Sequence, residues 1–396
     1  MDLYLQLGHG MMGHCSILLP DMPEATVILS PRDLKESQIE KFSNKVIKLG
    51  GATLLDPQLY APHCDHPKLT QHTYWPQDYS TTSFTKGGAL KRVIKQLMDL
   101  NDKARTNAFI VPGMYCDRVE QTWLSIHDDI VDAALVYSGE KIGTLCLSSE
   151  TLRFQDQLDE LLVKTEEWDL DGYYVIAEHP NGDYLVEDPV WLTNLLSFCA
   201  GLKLQKKKVI LGYSNHQMLC CACAGVDAIA SGTWMNVRSF TVSKFYQNDP
   251  DDIKRKRTWY YCPQALSEVK PEFLDLAFNR SVLQSFVPLP KYGSNYADML
   301  FSGAIPTTTN YNEQTSFRHY LTCLYNQCKL STQANFSAAI KHQKEILKNA
   351  NRMIAFAHKY GVRGQKRDFA DYVDVNLSAV ETFEAEKGFL LKRMWK

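Results

Sequence analysis

The feature that most constrains the fold is a series of short apolar runs, which alternate with helical patterns up to about residue 240. The runs cover residues 3–7, 26–30, 52–56, 108–112, 142–148, 172–178, 209–213 and 226–231. Most of them are apolar on both faces, which is typical of a parallel sheet that is covered on each side. Eight parallel strands are the number that closes a βα-barrel. The sequence therefore predicts an α/β protein with a (β/α)8 TIM barrel.

The chain has more residues than eight strand–helix units require. The connection between the third and fourth runs is too long for one crossover helix, so we expect an insertion at about 61–106 on the ligand-facing side. After the eighth run the pattern changes to a charged loop and long helical segments. We expect a barrel domain over residues 1–245 and a C-terminal helical extension over 246–396 that packs on the barrel.

The composition and charge indicate which classes of protein this chain can belong to. The 396 residues include 43 basic and 45 acidic side chains, so the formal net charge of -2 gives no global positive field of the kind that nucleic-acid binders carry. No apolar run is long enough to span a bilayer, and the first residues lack a signal-peptide pattern. The eleven cysteines lie mostly in apolar contexts, which favours a reducing compartment. We expect a cytoplasmic protein with no membrane partner.

Polar residues at the ends of the predicted strands are the candidate site, because ligand groups gather there in βα-barrels. Asp56 ends an apolar run before a proline, so we expect its carboxylate to project into the barrel mouth and to handle protons or accept hydrogen bonds from a heterocycle. Its structural alternative is a cap on the following helix. Glu178 and His179 form an acid and imidazole pair after the sixth run, with an ion pair and a turn cap as the alternative roles. We predict that these two residues contact the substrate together with Asp117, Tyr213, Asn215 and Arg238.

Two groups of cysteine and histidine residues suggest a metal at first sight. The sequence HCDH at 63–66 places four potential ligands in consecutive positions, which cannot all face one ion. In CCAC at 220–223, at most two thiols share one helix face. The common nucleotide-binding, hydrolase and zinc-protease motifs are missing. We expect neither a metal nor a cofactor.

Two longer stretches resemble a known family. The sequences DLDGYYVIAEHPNGD and KKVILGYSNHQMLCCACAGVDAIASGTWMNVRSF are similar to the last strands and loops of the tRNA-guanine transglycosylases. LLDPQLY falls where that family has its D-S-G-G-F segment, and RHYLTCLYNQ resembles the family's Y-x-H-H-L helix more loosely. The resemblance implies a βα-barrel that exchanges guanine for a 7-deazaguanine base in a nucleic acid. It also implies an attacking aspartate, a second aspartate that handles protons, and a zinc site of three cysteines and one histidine.

The chain departs from this pattern at two places. Asp56 matches the proton-handling aspartate, but the position of the attacking aspartate falls on Ala230, beside Ser231. A serine hydroxyl replaces a carboxylate poorly unless a base activates it. No cysteine precedes Arg318 where the family has three zinc ligands. We therefore take Asp56 and Ser231 as the candidate catalytic residues and expect ordinary tRNA base exchange to be absent.

Three functions follow from these observations as hypotheses. The first is a transglycosylase-like barrel that binds a guanine or 7-deazaguanine group, with a role in bacterial antiviral defence, where the resemblance places such proteins beside enzymes of deazaguanine synthesis. It is compatible with a nucleic acid or a modified protein as carrier, with a partner protein from the defence cluster, and with a homodimer. The second is a non-catalytic, partner-binding scaffold of the same family. The third is an unrelated metal-dependent hydrolase that uses His9, Asp56, His179 and His216.

Overall fold

The barrel is built from one parallel sheet. The computed structural model describes residues 1–77, 84–246 and 258–395. The strands are β1 (Asp2–Gln6), β2 (Thr26–Leu29), β3 (Ala52–Leu55), β4 (Phe109–Val111), β5 (Tyr115–Cys116), β6 (Lys141–Leu147), β7 (Gly172–Ala177), β8 (Lys208–Leu211) and β9 (Ala228–Ser231). They pair in the order β3-β2-β1-β9-β8-β7-β6-β4, and the two-residue β5 also pairs with β6. Each predicted strand is present within about two residues of its expected bounds.

The sheet curls until its edges β3 and β4 nearly meet. Asn107, just before β4, joins them, because its backbone N–H donates to the Thr53 carbonyl oxygen at 2.9 Å and its side-chain oxygen accepts from the Thr53 N–H at 3.1 Å. Further along, the Tyr115 N–H donates to the Tyr60 carbonyl oxygen at 2.9 Å. The strands thus form a nearly closed barrel, and the predicted (β/α)8 fold is confirmed.

Helices cover the outside of the barrel. They are α1 (Met11–Leu18), α2 (Glu36–Lys48), α3 (Gly87–Ala104), α4 (Gln121–Ala134), α5 (Gln155–Glu167) and α6 (Pro189–Leu204). Helix α2 shows why they form, because its buried Ile39, Phe42, Ser43 and Val46 recur at helical spacing and face the sheet. Between β8 and β9 the covering element is a 3-10 helix, His216–Ala224, whose residues are all buried.

Helix α3 belongs to the barrel itself and not to an insertion, although it lies within the expected insertion at about 61–106. It packs between α2 and α4, so it is the ordinary crossover helix from β3 to β4. The additional chain therefore lies before it, and residues 78–83 of the aromatic stretch lie outside the described residues. The described part reaches the carboxyl ends of the strands, where the Tyr74 hydroxyl donates to the Pro57 carbonyl oxygen at 2.8 Å.

The C-terminal extension is mostly helical. It contains an antiparallel hairpin of β10 (Tyr260–Cys262) and β11 (Ser267–Val269), followed by α7 (Pro271–Asn279), α8 (Glu313–Ser331), α9 (Phe336–Lys359) and α10 (Val373–Met394). The hairpin was not predicted from the sequence. Helix α8 packs on β1, and α10 packs on α6 and α9, so the extension covers one side of the barrel. No helix in the described ranges is long and apolar enough to cross a membrane. The eleven cysteines are free thiols, and all except Cys64 are buried.

Candidate functional site

Asp56 is the centre of the candidate site. It follows β3 directly, and its carboxyl group is fully buried at the carboxyl end of the barrel. The Tyr60 hydroxyl donates to this carboxyl group at 2.6 Å, and the Tyr213 hydroxyl donates to Oδ2 at 3.0 Å. The backbone N–H of Gln58 donates to Oδ1 at 3.0 Å, and the Tyr174 hydroxyl lies 3.4 Å from Oδ2. The expected position of Asp56 is correct, and its neighbours are three tyrosines.

This environment sets the protonation of Asp56. Burial raises its pKa to about 6, from an ordinary value of 3.8, although hydrogen bonds from Tyr60, the Gln58 backbone, Tyr213 and Tyr174 oppose the rise. Loss of solvation disfavours the charged form, and donated hydrogen bonds favour it. A carboxyl group with a pKa near 6 is present in both protonation states close to neutral pH, so it can accept or donate a proton.

The backbone around Asp56 is held in unusual conformations. Gln58 and Tyr213 have φ angles of 54° and 52°, in the left-handed region that side chains other than glycine rarely adopt. The Gln58 amide donates to the Tyr213 hydroxyl at 3.0 Å, so the two residues hold each other beside the carboxyl group. At Gly212, a Cβ atom would lie 2.6 Å from the Tyr174 ring and hydroxyl. Backbone strain of this kind concentrates at functional sites.

Aromatic rings cover the carboxyl group. Phe245 packs edge-on against Tyr60 with 4.8 Å between ring centroids, and Phe240 lies 5.4 Å from Tyr60 and 5.2 Å from Tyr213. We call Tyr60, Tyr213, Phe240 and Phe245 the aromatic cover. Each phenylalanine meets a tyrosine at an angle of 65–88°, so the rings pack edge to face, and with Asp56 they form a largely apolar environment around one buried carboxyl group. Aromatic rings and a carboxylate are the groups that a planar heterocycle with N–H donors can contact.

Glu178 lies at the same end of the barrel but outside the aromatic cover. The side chain is half-buried and accepts hydrogen bonds from the Tyr115 hydroxyl, the Val242 N–H at 3.0 Å and the Ser149 N–H at 3.4 Å. Through the Val242 N–H it therefore anchors the loop after β9, and no ion pair of Glu178 is found in the described part of the chain. Asp117 is exposed nearby, and its carbonyl oxygen accepts from the Ser148 and Thr151 hydroxyls.

His179 and Asn215 are occupied by structural contacts. A ring nitrogen of His179 lies 2.9 Å from the Asp183 carbonyl oxygen, the ring packs against Trp191, and burial lowers the pKa of His179 to about 4. The Asn215 amide donates to two carbonyl oxygens, and its side-chain oxygen accepts from the Gln217 N–H at 2.8 Å. The turn-stabilising alternative therefore describes His179, and Asn215 caps the 3-10 helix that follows β8.

Strand alternation separates Ala230 from Ser231. Gln6 on β1 faces the interior, where its side-chain oxygen accepts from the Tyr174 hydroxyl at 3.0 Å. Because successive side chains of a strand alternate, Leu5 faces outward. Ser231 is the partner of Leu5 on β9, so it faces outward too. Ala230 faces the interior. The buried Ser231 hydroxyl lies next to the Tyr320 hydroxyl of α8, and none of its described contacts joins it to Asp56. The structure does not bring the two catalytic candidates together.

Arg238 belongs to a buried ionic cluster between the barrel and the extension. It donates to Glu268 at 3.0 Å and lies over the Tyr320 ring at 3.6 Å. Glu268 also accepts from Arg367 at 2.6 Å and from the Tyr184 hydroxyl at 2.7 Å. Burial alone would raise the pKa of Glu268, but the two arginines lower it to about 2. Arg238 therefore fixes the extension to the loop after β9, a role that the sequence did not indicate.

The proposed hydrolase ligands are not assembled. His9 packs beside Trp234, and His216 lies among Tyr184, Tyr261 and Tyr320. Within the described ranges, no three His, Cys, Asp or Glu side chains are grouped so that they could hold a metal ion. The residues that sequence reasoning missed are Gln58, Tyr60 and Tyr174. Two of them stand in LLDPQLY itself, at two and four residues after Asp56.

Comparison with known proteins adds little to this geometry. No protein-family model matches the chain, and no curated protein does. One similar solved structure is a putative fructose-1,6-biphosphate aldolase from Coccidioides immitis, with 9% identity, a TM-score of 0.37 and coverage of 86% of this chain and 90% of that one. Another is the carboxyl transferase domain of Rhizobium etli pyruvate carboxylase, with 8% identity, a TM-score of 0.40 and coverage of 98% and 78%. These likenesses are too weak to carry an argument, so the barrel assignment rests on the strand order.

Proposed function

We propose that this protein is a transglycosylase-like barrel that binds a guanine or 7-deazaguanine base at its mouth, with Asp56 as the recognising and proton-handling group. The observation that carries the proposal is the fully buried carboxyl group of Asp56 under the aromatic cover. The resemblance of LLDPQLY and of the last strands to the tRNA-guanine transglycosylases supports the choice of base.

The chemistry of a guanine-type base fits this environment. Its N1–H and exocyclic amino group form a pair of parallel donors, which the two oxygens of one carboxylate can accept together. Its faces stack on aromatic rings, which contributes about 1–3 kcal/mol per base where such stacking has been measured. Phe240 and Phe245 pack on the tyrosines that donate to Asp56, and the carboxyl group is fully buried. Binding therefore requires these rings to turn aside and exchange ring–ring contacts for base–ring contacts.

The same geometry argues against the covalent route of the family. Ala230 faces the interior and has no nucleophilic group, and Ser231 faces the helices outside the barrel. The proposal is therefore recognition of the base, with proton exchange at Asp56, rather than ordinary base exchange through an attacking aspartate. A role in antiviral defence belongs to this proposal and rests on the resemblance. A non-catalytic scaffold of the same family is the second candidate, and Ala230 is the observation that favours it.

Calorimetric titration of the purified protein tests the proposal. The ligands are guanine, 7-cyano-7-deazaguanine and 7-amido-7-deazaguanine, with adenine as the mismatched base. We expect binding of at least one guanine-type base and a roughly 10- to 150-fold loss in Asp56→Asn, because a charged hydrogen bond is replaced by an amide donor that faces base donors. Asp159→Asn makes the same change at an exposed carboxylate on α5, outside the candidate site, and is the matched control. Absence of binding for all three bases, or equal binding by Asp56→Asn, would contradict the proposal.

A further inference from the structure

A second cavity lies beside the aromatic cover, where β1 and β2 end. It has a volume of about 500 Å³, and we call it the cationic cleft. Its walls include the loop Gly8-His9-Gly10 and three basic side chains, Arg32, Lys35 and Lys68. Asp33 is the one acidic residue in its lining, and its Oδ2 accepts a hydrogen bond from the Ser30 hydroxyl at 2.9 Å. The described lining therefore carries three positive charges and one negative charge.

The two lysines are available for a ligand. Lys35 and Lys68 are exposed, they come from different loops, and neither ammonium group forms an ion pair with a described residue. Like charges that converge on one concave surface repel each other and are relieved by an anion. The site does not resemble a solvated helix face, because it is a cleft with walls from three loops.

The glycine loop adds to this preference. Gly10 has a φ of 72° and stands at the N-terminus of α1, where no side chain caps the helix. Met11 and Met12 of the first turn line the same cleft. The Met11 N–H already donates to the Gly8 carbonyl oxygen at 3.1 Å, so the helix start favours negative charge only modestly and adds to the effect of the basic side chains.

The cleft is joined directly to the Asp56 site. The Arg32 N–H donates to the Gln58 side-chain oxygen at 2.9 Å, and the next hydrogen bond, from the Gln58 N–H, reaches Asp56. The Arg32 guanidinium also lies 5.3 Å from the centre of the Phe245 ring, which belongs to the aromatic cover. A ligand that places a base against Asp56 would therefore extend its remaining groups toward this cleft.

We infer that the cationic cleft binds a phosphate group of the molecule that carries the base. The inference rests on the proposed function and deepens it, because it makes the substrate a phosphate-bearing nucleotide or a nucleic acid strand and not the free base. A terminal phosphate and a backbone phosphodiester share the chemistry that the cleft recognises. The two sources differ in how many phosphates contact the protein.

The test compares the binding of three probes by the full-length protein: 7-cyano-7-deazaguanine, GMP and a short guanine-containing single-stranded oligonucleotide. Binding is measured for the wild type, for Lys35→Gln/Lys68→Gln, and for a triple variant that adds Arg32→Gln. The matched control, Lys341→Gln/Lys348→Gln/Arg352→Gln, removes three charges from the exposed face of α9. Each single-strand phosphate contact contributes about 0.7 to the slope of log affinity against log salt. Because the cleft is inferred to hold one phosphate, we expect the triple variant to lower that slope by about 0.7 for the oligonucleotide. Its binding of the free base should stay at the wild-type value, and so should the binding of every probe by the control variant.

The outcomes separate the two proposals. If the oligonucleotide and GMP lose affinity equally in the cleft variants, a terminal phosphate is the ligand and the inference holds. A larger loss for the oligonucleotide identifies a strand, and the inference also holds. Cleft variants that bind GMP and the oligonucleotide as tightly as the wild type would overturn the inference and leave the base site intact. Phosphate-dependent binding that Asp56→Asn does not weaken, with no binding of the free base, would instead overturn the proposed function and retain the cleft.

Discussion

Replacement of Asp56 by asparagine should change how the stability of the protein depends on pH. The folded protein holds this carboxyl group with a pKa of about 6, against an ordinary value of 3.8. Between these two values the folded state binds more protons at this site than the unfolded state does. The free energy of unfolding must then decrease as pH rises through that window, and it becomes independent of this group above it. An asparagine at the same position does not titrate.

The size of the effect follows from the same two pKa values. A gap of about two pH units corresponds to about 3 kcal/mol. The difference in the free energy of unfolding, Asp56→Asn minus wild type, should therefore increase by about 3 kcal/mol between pH 4 and pH 7. The difference between the two proteins isolates Asp56, because the other titrating groups are common to both.

Urea denaturation at a series of pH values from 4 to 8, followed by tryptophan fluorescence, measures this difference. Asp117→Asn serves as the control and should run parallel to the wild type, because its carboxylate is exposed. A stability difference between Asp56→Asn and the wild type that is constant over this range would refute the reasoning. It would mean that the carboxyl group is solvated and that the aromatic cover does not exclude water from it.

Three further substitutions test other parts of the structure. Gly212→Ala would place a Cβ atom 2.6 Å from a buried tyrosine ring, so we expect a loss of about 1–3 kcal/mol in urea denaturation, whereas Gly88→Ala, which meets no atom within 4 Å, should cost nothing. Glu268→Gln leaves the buried Arg238 and the partly exposed Arg367 without their carboxylate and should cost about 3–5 kcal/mol; a cost below about 1 kcal/mol would show that the cluster is hydrated. Tyr60→Phe removes the shortest hydrogen bond to the buried carboxyl group, so its pKa should rise and the pH window of decreasing stability should extend upward; an unchanged window would contradict the assigned contact.

The barrel was predictable because its signal is local. Each of the eight strands is an apolar run of a few residues, and each covering helix repeats its apolar positions at helical spacing, as Ile39, Phe42 and Val46 do in α2. The hairpin of β10 and β11 was not predictable in this way. Its strands have only three residues each, too few to show a period. They are stabilised by packing of β10 against α8 and of β11 against the 3-10 helix Gln365–Arg367.

The site was predictable only in part. Asp56 could be placed because a carboxylate at the end of an apolar strand has one natural location in a barrel. Ser231 could not be judged, since a strand residue points inward or outward according to a register that is set by its neighbour β1. Arg238 and Asn215 stand at strand ends as expected, but their partners Glu268 and Tyr184 come from distant parts of the chain. Sequence spacing carries no information on such contacts.

A crystal structure of the protein with 7-cyano-7-deazaguanine is the most direct test of the central claim. We predict that the base lies between the rings of the aromatic cover, with its N–H groups within hydrogen-bond distance of the Asp56 carboxylate, and that Phe240 or Phe245 has turned aside. Density for the base elsewhere on the protein, or an Asp56 that keeps its three tyrosine contacts and the closed aromatic cover at saturating ligand, would contradict it.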